Sequence, residues 1–501
     1  MITFPGNNHY LLLTTLLLLA LYGCSKPNQT ENPELASIRY QNLCATILTS
    51  DYFLWADEAT GAIGLWDNEI NVADNLQRVR LASGHDDPWT GYIEDFPSTR
   101  ALFTGSGYSF GFGLRLYNLD PTGIQTGAAV LYTIPGSPAA AAGLKRGDII
   151  TAVNDKPLTR ESARQIIQEG LYSAKSATLT LRDGKTVIVN ASSMVRKSVL
   201  YHSVFDYLGR PTGYLILGDF TPTSCAELLS VLKEFQDNHI QTLILDLRYS
   251  TKGLAVMDTF LASLLTYKLN AQSAFVYEKE YTNDRLESIR HSSYVKYHLT
   301  PTMDIDDSQL GSYHFSADGI DWQWLDETDF YFITSGLTAG SADYLIRYLM
   351  ESHGTALIGE ATSGISLNGI MVSFEDWYRT AGDSTLGENS REQVCSWVRD
   401  KGIALTVSNS FPLYIWEVEK QPYAPNYSVS DNPFDGHELG DRKETLFAAA
   451  LEYISAIIHA ATPPASAPNM LPDGFSPCPE MIDPGFGIRL ISKERLINGH
   501  Y

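Results

Sequence analysis

Apolar runs and helical patterns alternate along the second half of the chain, from about residue 195 to 460, and this alternation is the strongest constraint on the fold. The runs QTLILDLR and DFYFIT are almost continuously apolar, as is typical of strands buried on both faces of a parallel sheet. They are followed by AVMDTFLASLL and SADYLIRYLMES, whose apolar residues recur at helical spacing. The sequence therefore predicts an α/β fold made of βα repeats.

The preceding segment, from about 104 to 193, combines short strands, glycine turns and a short helix. Its stretch SPAAAAGLKRGDIITAVND resembles the helix-turn-strand signature of PDZ domains. By that resemblance SFGFGLRL is the loop and strand edge that bind a peptide C-terminus, because a glycine-rich loop presents N–H groups to the carboxylate and the peptide adds as a strand. The candidate peptide-binding residues are Phe110, Gly111, Phe112, Gly113 and Leu114.

The 501-residue chain is 44% hydrophobic and 19% charged, which predicts a globular protein of about two or three domains. The patterns divide it into a signal peptide (1–24), a linker (25–36), a helical domain (37–103), the PDZ domain (104–193), the α/β domain (194–460, with an insertion at about 375–402) and a proline-rich tail (461–501) that is mostly irregular.

The charge and the cysteines limit the classes of partner. A net charge of -22 repels phosphate backbones and anionic lipid surfaces, so the sequence argues against a nucleic-acid partner and favours proteins, peptides or small molecules. The five cysteines lack any CxxC or Cys/His spacing, so no metal site is predicted, and we expect no cofactor. Neither the oligomeric state nor a disulfide pairing follows from the sequence.

The N-terminus predicts export from the cytoplasm. An apolar run, 11–20, is too short to span a bilayer comfortably and is followed by Leu21-Tyr22-Gly23-Cys24 and a polar segment. This order resembles the lipobox of bacterial lipoproteins, in which the cysteine is acylated, and it makes Cys24 the candidate lipid anchor in the cell envelope, at the outer membrane. The N-terminal region lacks Lys and Arg and Tyr22 is bulky. An ordinary secretory signal or an anchor helix is therefore the alternative.

The order of the landmarks is more specific than any single one. After an aromatic-rich helical segment come DDPWTGYI, the glycine-rich loop, the PDZ signature, GYLILGDF, LILDLR, TAGSAD, GEATSG and a terminal LGD motif. In this order they resemble the C-terminal-processing, or tail-specific, serine peptidases, from about residue 37 to 460. The resemblance implies a PDZ domain that grips a substrate's C-terminus and a crotonase-like α/β core that cleaves with a Ser–Lys dyad.

The residues that this chemistry needs are not at the expected positions. A serine hydroxyl is a poor nucleophile near neutral pH and needs a base, which a lysine provides when desolvation lowers its pKa. Matching TAGSAD and GEATSG to the family's motifs puts Gly340 at the nucleophile position and Ile365 at the lysine position. The family's acidic position holds Glu351, which equally fits a solvated acid near a helix end. Gly253 and the backbone of Gly340 are the candidate oxyanion groups.

Ser341 follows the altered nucleophile position. One step along a helix turns a side chain by about 100° and moves it by about 1.5 Å, whereas catalytic groups tolerate about 0.5 Å. Ser341 is therefore predicted to cap the helix. The leading interpretation is a lipoprotein that binds peptide or protein C-termini and has lost classical Ser–Lys hydrolysis. The alternatives are an active serine endopeptidase that uses Ser341, with Lys252 or another lysine as base, and a purely structural or complex-forming lipoprotein.

Overall fold

The structure is a computed structural model that describes residues 33–478 and 488–490, with internal gaps. The gaps are 86, 88, 94–95, 173, 266–274, 282, 291–293, 299–301, 308–309, 321–323, 326–327, 353–354, 365–366, 374–403 and 414–421. The predicted signal peptide, the lipidation candidate Cys24 and the insertion at about 375–402 lie outside the described residues.

The N-terminal part is helical, as the apolar spacing predicted. It consists of α1 (Pro33–Tyr52), α2 (Thr60–Gly64), α3 (Val72–Ser83), the short strand β1 (Gly91–Ile93) and α4 (Phe96–Thr104). Helix α1 begins inside the segment predicted as a linker, at a proline, whose fixed φ suits the first turn of a helix. Leu48, Phe53 and Leu76 are buried in a core shared with the α/β part. Among the described residues, no helix has both the length and the apolar character needed to cross a bilayer.

The next part is a β-rich domain whose two ends meet. β2 (Ser106–Ser109) pairs antiparallel with β9 (Ser192–Val195), so the segment between them starts and finishes at one place. That segment contains β3 (Phe112–Asn118), β4 (Thr126–Thr133), α5 (Pro138–Ala141), β5 (Ile149–Val153), β6 (Lys156–Pro157), α6 (Ala163–Ile167) continued by a π-helical turn (Gln168–Tyr172), β7 (Ser176–Leu181) and β8 (Thr186–Asn190).

The remaining elements alternate between strand and helix over much of their length. They are β10 (Val199–Tyr207), β11 (Arg210–Leu217), a 3-10 turn (Pro222–Ser224), α7 (Cys225–Asp237), β12 (Thr242–Asp246), β13 (Lys252–Leu254), α8 (Ala255–Leu265), β14 (Phe275–Tyr281), α9 (Asp284–Arg290), β15 (Tyr294–His298), β16 (Thr302–Asp307), β17 (Gly311–Ser316), β18 (Asp329–Thr334), α10 (Ser341–Ser352), β19 (Thr355–Gly359), β20 (Leu367–Ser373), β21 (Ala404–Leu413), β22 (Tyr427–Ser428), α11 (Thr445–Ile458), β23 (Ser476–Pro477) and β24 (Ile488–Leu490).

The central sheet has the order β10-β11-β12-β18-β19-β22, and all its pairs except β10–β11 are parallel. Both of its faces are covered. Leu243 and Leu245 point into the core that contains α7, α8 and α10, whereas Ile244 between them points into the core that contains α11. Burial on both faces explains why these strands read as continuous apolar runs. The predicted α/β class is confirmed.

A second sheet has the order β13-β24-β20-β21-β14-β15, with β1 paired to β21. Its strand β24 comes from the tail that the sequence predicted to be mostly irregular. This strand runs parallel to β13 on one side and to β20 on the other. The tail is therefore part of the folded body at the place where β13 leads into α8.

One predicted helix cap is wrong. The stretch Ser224-Cys225-Ala226-Glu227 has the sequence pattern of a capping box, which predicts that the Ser224 side chain caps the start of α7. The Ser224 side chain makes no cap hydrogen bond there. Its hydroxyl instead donates to the carbonyl of Arg196 at 2.8 Å and accepts from the Ser198 amide at 2.7 Å. Because these partners belong to the chain leaving β9, the serine joins two segments rather than satisfying a helix end.

Candidate active site

The turn between β18 and α10 is the strand-to-helix elbow of the TAGSAD motif. The Thr338 hydroxyl donates to the carbonyl of Leu247 at 3.0 Å and accepts from the Ser335 amide at 3.0 Å. The Ala339 amide donates to the carbonyl of Ser250 at 2.9 Å. These bonds tie the elbow to the chain that follows β12, so the start of α10 is fixed relative to the neighbouring strand.

Gly340 occupies the last position before the helix. Its φ of +59° lies in the left-handed region, where a side chain costs about 1–2 kcal/mol. Its carbonyl accepts the Tyr344 amide at 3.3 Å, which is the first bond of α10. Gly340 is therefore the residue at the cap position, and the nucleophile position of the motif has a backbone conformation that glycine adopts freely.

Ser341 is the first residue of α10 and is completely buried. Its hydroxyl has no hydrogen-bond partner among the residues that the structure describes. The predicted capping role is therefore wrong, because a capping serine accepts a hydrogen bond from a helix N–H. The side chain packs against Gly253: a Cβ built on that glycine would lie 2.8 Å from Ser341 Oγ and 2.5 Å from Phe220 Cβ. Glycine is required at 253 by this close approach.

Lys252, the rival base, does not contact that hydroxyl. Its ammonium pairs with Asp219 Oδ2 at 3.1 Å, and its side chain is only 1% exposed. Successive side chains of a strand point to opposite faces, so Lys252 is directed away from the face on which Gly253 meets Ser341. Asp219 also pairs with Arg196 at 3.3 Å. The lysine thus belongs to a buried ionic cluster, which sequence analysis missed because Asp219 lies in another strand connection.

Two other predicted site residues have no described side chain. Ile365 lies in the gap at 365–366, and the backbone of Glu351 is in the last turn of α10. The neighbouring motif is well placed: the Glu360 carboxylate accepts the Gly336 amide at 3.0 Å, and its carbonyl accepts the Thr334 hydroxyl at 2.7 Å. The GEATSG segment therefore lies against the elbow. Within the described part of the chain, no group of three or more His, Cys, Asp or Glu could hold a metal ion.

A buried network of charges lies behind the elbow. Arg248 donates to Asp246 at 2.7 Å and to Glu444 at 2.6 Å. Arg146 of the β-rich domain pairs with Asp431 at 2.9 Å and with Glu444 at 3.2 Å. Both arginine side chains are 0% exposed, so the ion pairs form in a region from which water is excluded. Three distant parts of the chain meet in this network.

Asp431 stays ionised in the network. Burial by itself raises the pKa of this carboxyl, but Arg146 and Arg248, together with a hydrogen bond from the Tyr249 hydroxyl, outweigh burial and lower the pKa to about 2. Tyr249 Oη lies 2.6 Å from Asp431 Oδ2. Sequence analysis missed this cluster, since its members come from three segments that are far apart in the chain.

The predicted peptide-binding loop is held against the start of α5. The Gly111 carbonyl accepts from the Ile134 amide at 2.8 Å and from the Ser137 hydroxyl at 3.0 Å. Gly111 has a φ of +80°, and a Cβ there would lie 2.2 Å from Ser137 Cβ. Phe110 is buried in the domain core, whereas Phe112 is partly buried at its edge. Gly113 approaches the Tyr132 ring so closely that a Cβ would meet it at 2.4 Å.

Strand β3 and helix α6 contribute apolar side chains to the same core cluster. They are Phe112 and Leu114 on β3 and Ile166 on α6. One edge of β3 pairs with β4, and the other edge carries β23 at its far end. A strand edge beside a helix is the geometry to which PDZ domains add an extended peptide.

Comparisons with known proteins agree with this architecture. Residues 130–178 match the PDZ domain family. The chain is 28% identical over 202 residues to the Carboxyl-terminal-processing protease of Picosynechococcus sp., covering 38% of this chain and 48% of that protein. It is 43% identical over 67 residues to the Periplasmic serine endoprotease DegP of Escherichia coli K12, covering 13% of this chain and 14% of that protein. The chain thus matches about half or less of the length of these curated relatives.

A solved structure shares the fold over most of the chain. It is described as a candidate S41 protease of Bacteroides fragilis and has a TM-score of 0.51 at 17% identity, covering 86% of this chain and 100% of that one. At this identity the likeness establishes the fold. Together with the PDZ match and the sequence relatives, it confirms the resemblance inferred from the order of the motifs. The chain is a relative of the carboxyl-terminal-processing proteases, with a PDZ domain and the fold of an S41 protease.

Proposed function

We propose that the chain binds peptide or protein C-termini through its PDZ groove and does not hydrolyse them by classical Ser–Lys chemistry. The absence of classical Ser–Lys hydrolysis is inferred from the residues at the elbow between β18 and α10. Gly340 stands where the family has its nucleophile, and the adjacent Ser341 hydroxyl is buried without a lysine amine in hydrogen-bond reach among the described residues. A serine without a base is a poor nucleophile.

The binding half of the proposal is supported by the strand edge of β3 beside α6. The fixed loop at Gly111 leads directly into the strand edge, and Phe112 and Leu114 contribute apolar surface beside it. We assign Phe110, Gly111, Phe112, Gly113 and Leu114 to the recognition of a peptide C-terminus. The main-chain edge would provide affinity and the apolar pocket would select the terminal side chains.

We also propose that the protein is a lipoprotein of the cell envelope, anchored through Cys24. The lipobox-like order of residues supports this location, as does the similarity over 67 residues to a periplasmic endoprotease. The division of the chain into domains at residues 37, 104, 194 and 461 belongs to the same proposal. Expression in a bacterial host with a labelled fatty acid tests the anchor: the label is expected on the natural chain and absent from Cys24→Ala.

The binding proposal is tested with fluorescent peptides that differ only at the C-terminus. Anisotropy titrations compare a decapeptide ending in Ala-Val-Val as a free acid with the same peptide as an amide. Saturable binding of the acid and at least tenfold weaker binding of the amide are expected, since the loop recognises a carboxylate. Equal binding of both peptides would contradict C-terminal recognition, and no saturable binding of the free-acid peptide would favour a purely structural or complex-forming role.

The hydrolysis proposal is tested with an unfolded substrate that ends in the same residues. No turnover above the no-protein control is expected, because loss of one member of a nucleophile–base pair costs about a millionfold in other serine enzymes. One observation keeps the active peptidase as a second candidate: Ser341 Oγ is buried and has no described partner next to Gly253. Steady cleavage that Ser341→Ala abolishes would establish that candidate.

A gain-of-function variant tests whether the rest of the cleft is preserved. Gly340→Ser combined with Ile365→Lys restores the family's residue types at both positions. The new serine must adopt a φ near +59°, at a cost of about 1–2 kcal/mol. Recovered cleavage is the expected result if only the two side chains were lost. Failure in a folded variant would show that the cleft itself has changed.

A further inference from the structure

The C-terminal tail adds a strand to the peptide-binding edge of β3. Ser476 pairs with Asn118 and Pro477 with Tyr117, in antiparallel register, on the edge away from β4. The next amide continues the ladder, since Cys478 N donates to the carbonyl of Leu116 at 2.9 Å. The tail therefore enters the edge at the far end of β3 and runs toward the glycine-rich loop. This is the direction in which a peptide must run to place its C-terminus at that loop.

The side chain of Cys478 lies beside β3 and faces the core of the β-rich domain. It packs against the core cluster of the β-rich domain, as do Phe112 and Leu114 of β3 and Ile166 of α6. Its thiol also lies 3.5 Å from the side-chain oxygen of Asn118. A backbone hydrogen bond to the strand edge and an apolar side chain in the adjacent pocket are the two contacts that an added peptide strand makes.

Contacts made by the tail residues just before Ser476 hold the tail near this edge. Phe475 stacks edge-on against Phe434 with ring centroids 5.2 Å apart, and the Arg182 guanidinium lies 5.1 Å from the Phe475 ring. The Asn432 side chain donates to the carbonyl of Met470 at 2.8 Å. These contacts do not involve residues 476–478. They hold the tail at a short distance from β3 whether or not residues 476–478 are docked, which gives those residues a high effective concentration at the edge.

The same tail returns to the altered catalytic site. In β24, Ile488 pairs with Lys252 and Arg489 with Gly253, in parallel register. On its other edge β24 pairs with β20, which follows the position of Ile365. The tail strand thus lies between the candidate oxyanion strand and β20, directly beside the glycine that contacts Ser341.

We propose that residues 476–478 are a built-in peptide ligand for the far end of the β3 edge, and that residues 488–490 of the same tail occupy the space between β13 and β20. The inference rests on the proposed binding of peptide C-termini. A long external peptide whose C-terminus lies at the loop extends along β3 as far as Leu116. It can pair there only after residues 476–478 leave the edge, because one strand edge hydrogen-bonds to one strand at a time. The tail is therefore an intramolecular competitor that raises the apparent Kd for an external peptide.

Thermodynamic competition gives the size of the effect. The apparent Kd for an external peptide is the intrinsic Kd divided by the fraction of molecules with an open edge. A tail that is docked in about nine molecules of ten weakens binding about tenfold. A change that undocks residues 476–478 while keeping the anchor at Phe475 should therefore tighten binding by about that factor.

The first test uses point variants of the full chain, so that β24 stays in place. Cys478→Asp puts a carboxylate against the apolar core of the β-rich domain and disfavours docking, whereas Cys478→Val keeps an apolar side chain of similar size and is the matched control. The probe is the fluorescent free-acid decapeptide ending in Ala-Val-Val. We expect Cys478→Asp to bind it about tenfold more tightly and Cys478→Val to bind it as the natural chain does.

The second test follows the tail itself in the natural chain. Alkylation of Cys478 by iodoacetamide, in the presence of a phosphine reductant, is measured by mass spectrometry with and without saturating peptide. Cys44 and Cys225 are buried and serve as internal references. The expected result is slow alkylation of Cys478 that the free-acid peptide accelerates several-fold and the amidated peptide leaves unchanged.

The outcomes separate the two proposals. Saturable peptide binding with no change in Cys478→Asp affinity or in Cys478 alkylation would overturn the built-in ligand and leave the proposed function intact. No peptide binding to the natural chain or to Cys478→Asp would refute the proposed function and reduce the tail to a structural strand, which also overturns the inference. Rapid alkylation of Cys478 without peptide would show that the edge is not occupied.

Discussion

Replacing Ser341 by alanine should stabilise the protein. The hydroxyl is fully buried and has no described hydrogen-bond partner, and leaving such a group unsatisfied costs about 1–3 kcal/mol. Alanine removes that cost and loses only the packing of one oxygen atom. We expect a net gain of about 1 kcal/mol, which raises the melting temperature of a core of this size by about 2–4 °C. Scanning calorimetry on both chains measures the change.

Ser335→Ala is the matched control for this prediction. Ser335 is also fully buried and lies on the same elbow, but its hydroxyl donates to the Arg248 carbonyl and accepts the Leu337 amide at 3.1 Å. Its removal leaves buried groups unpaired and should cost about 1–3 kcal/mol. Opposite signs for the two substitutions are expected. Equal destabilisation by both would show that the Ser341 hydroxyl makes a hydrogen bond, and the reasoning would be refuted.

Three further substitutions or conditions probe the site. Arg248→Met should lower the free energy of unfolding by about 3–5 kcal/mol in urea titrations, because the buried Glu444 carboxylate loses its closest cation. A loss of less than about 1 kcal/mol would contradict a tight buried network. The pKa of Asp431 is lowered in the folded chain to about 2, so its contribution to stability is present above the unfolded value of 3.8 and should be lost between about pH 4 and pH 2. Asp431→Asn should flatten this part of the unfolding profile, and an unchanged profile would exclude the carboxyl as its source. Gly111→Ala should weaken peptide binding at least tenfold, since its Cβ would meet Ser137; unchanged binding would exclude this loop from recognition.

The sequence predicted those parts of the fold that depend on local pattern. The strand that contains Leu243 and Ile244 is apolar at consecutive positions because its two faces are covered, and that burial is visible in one short window. The segment Asp441-Arg442-Lys443-Glu444 before the last apolar run predicts a helix cap, and the Glu444 side chain does accept the Phe447 amide at 3.0 Å. Motif order also sufficed to find the elbow at Gly340.

The sequence could not predict contacts that depend on chain segments far apart. Lys252 was open to interpretation as a catalytic base until its partner Asp219, from another strand connection, was known. Ser224 looked like a cap because its sequence neighbours fit, yet its hydroxyl bonds to Arg196, which lies before the two strands β10 and β11. The short strand β24 has no alternating pattern of its own, since its place is set by the edges of two other strands.

Because β2 pairs with β9, the PDZ domain could be replaced by another domain without changing the α/β core. Ser106 pairs with Val195 and Ser109 with Ser192, so the domain is connected to the core by a two-stranded antiparallel stem. A short turn in place of residues 110–191 would close this stem into a hairpin at little entropic cost. The peptide specificity of the protein can therefore change by replacement of this domain while the α/β core stays the same. One restriction applies. Any exchanged domain must bring a cation to the place of Arg146, because otherwise Asp431 is left with fewer positive neighbours in a dry interior.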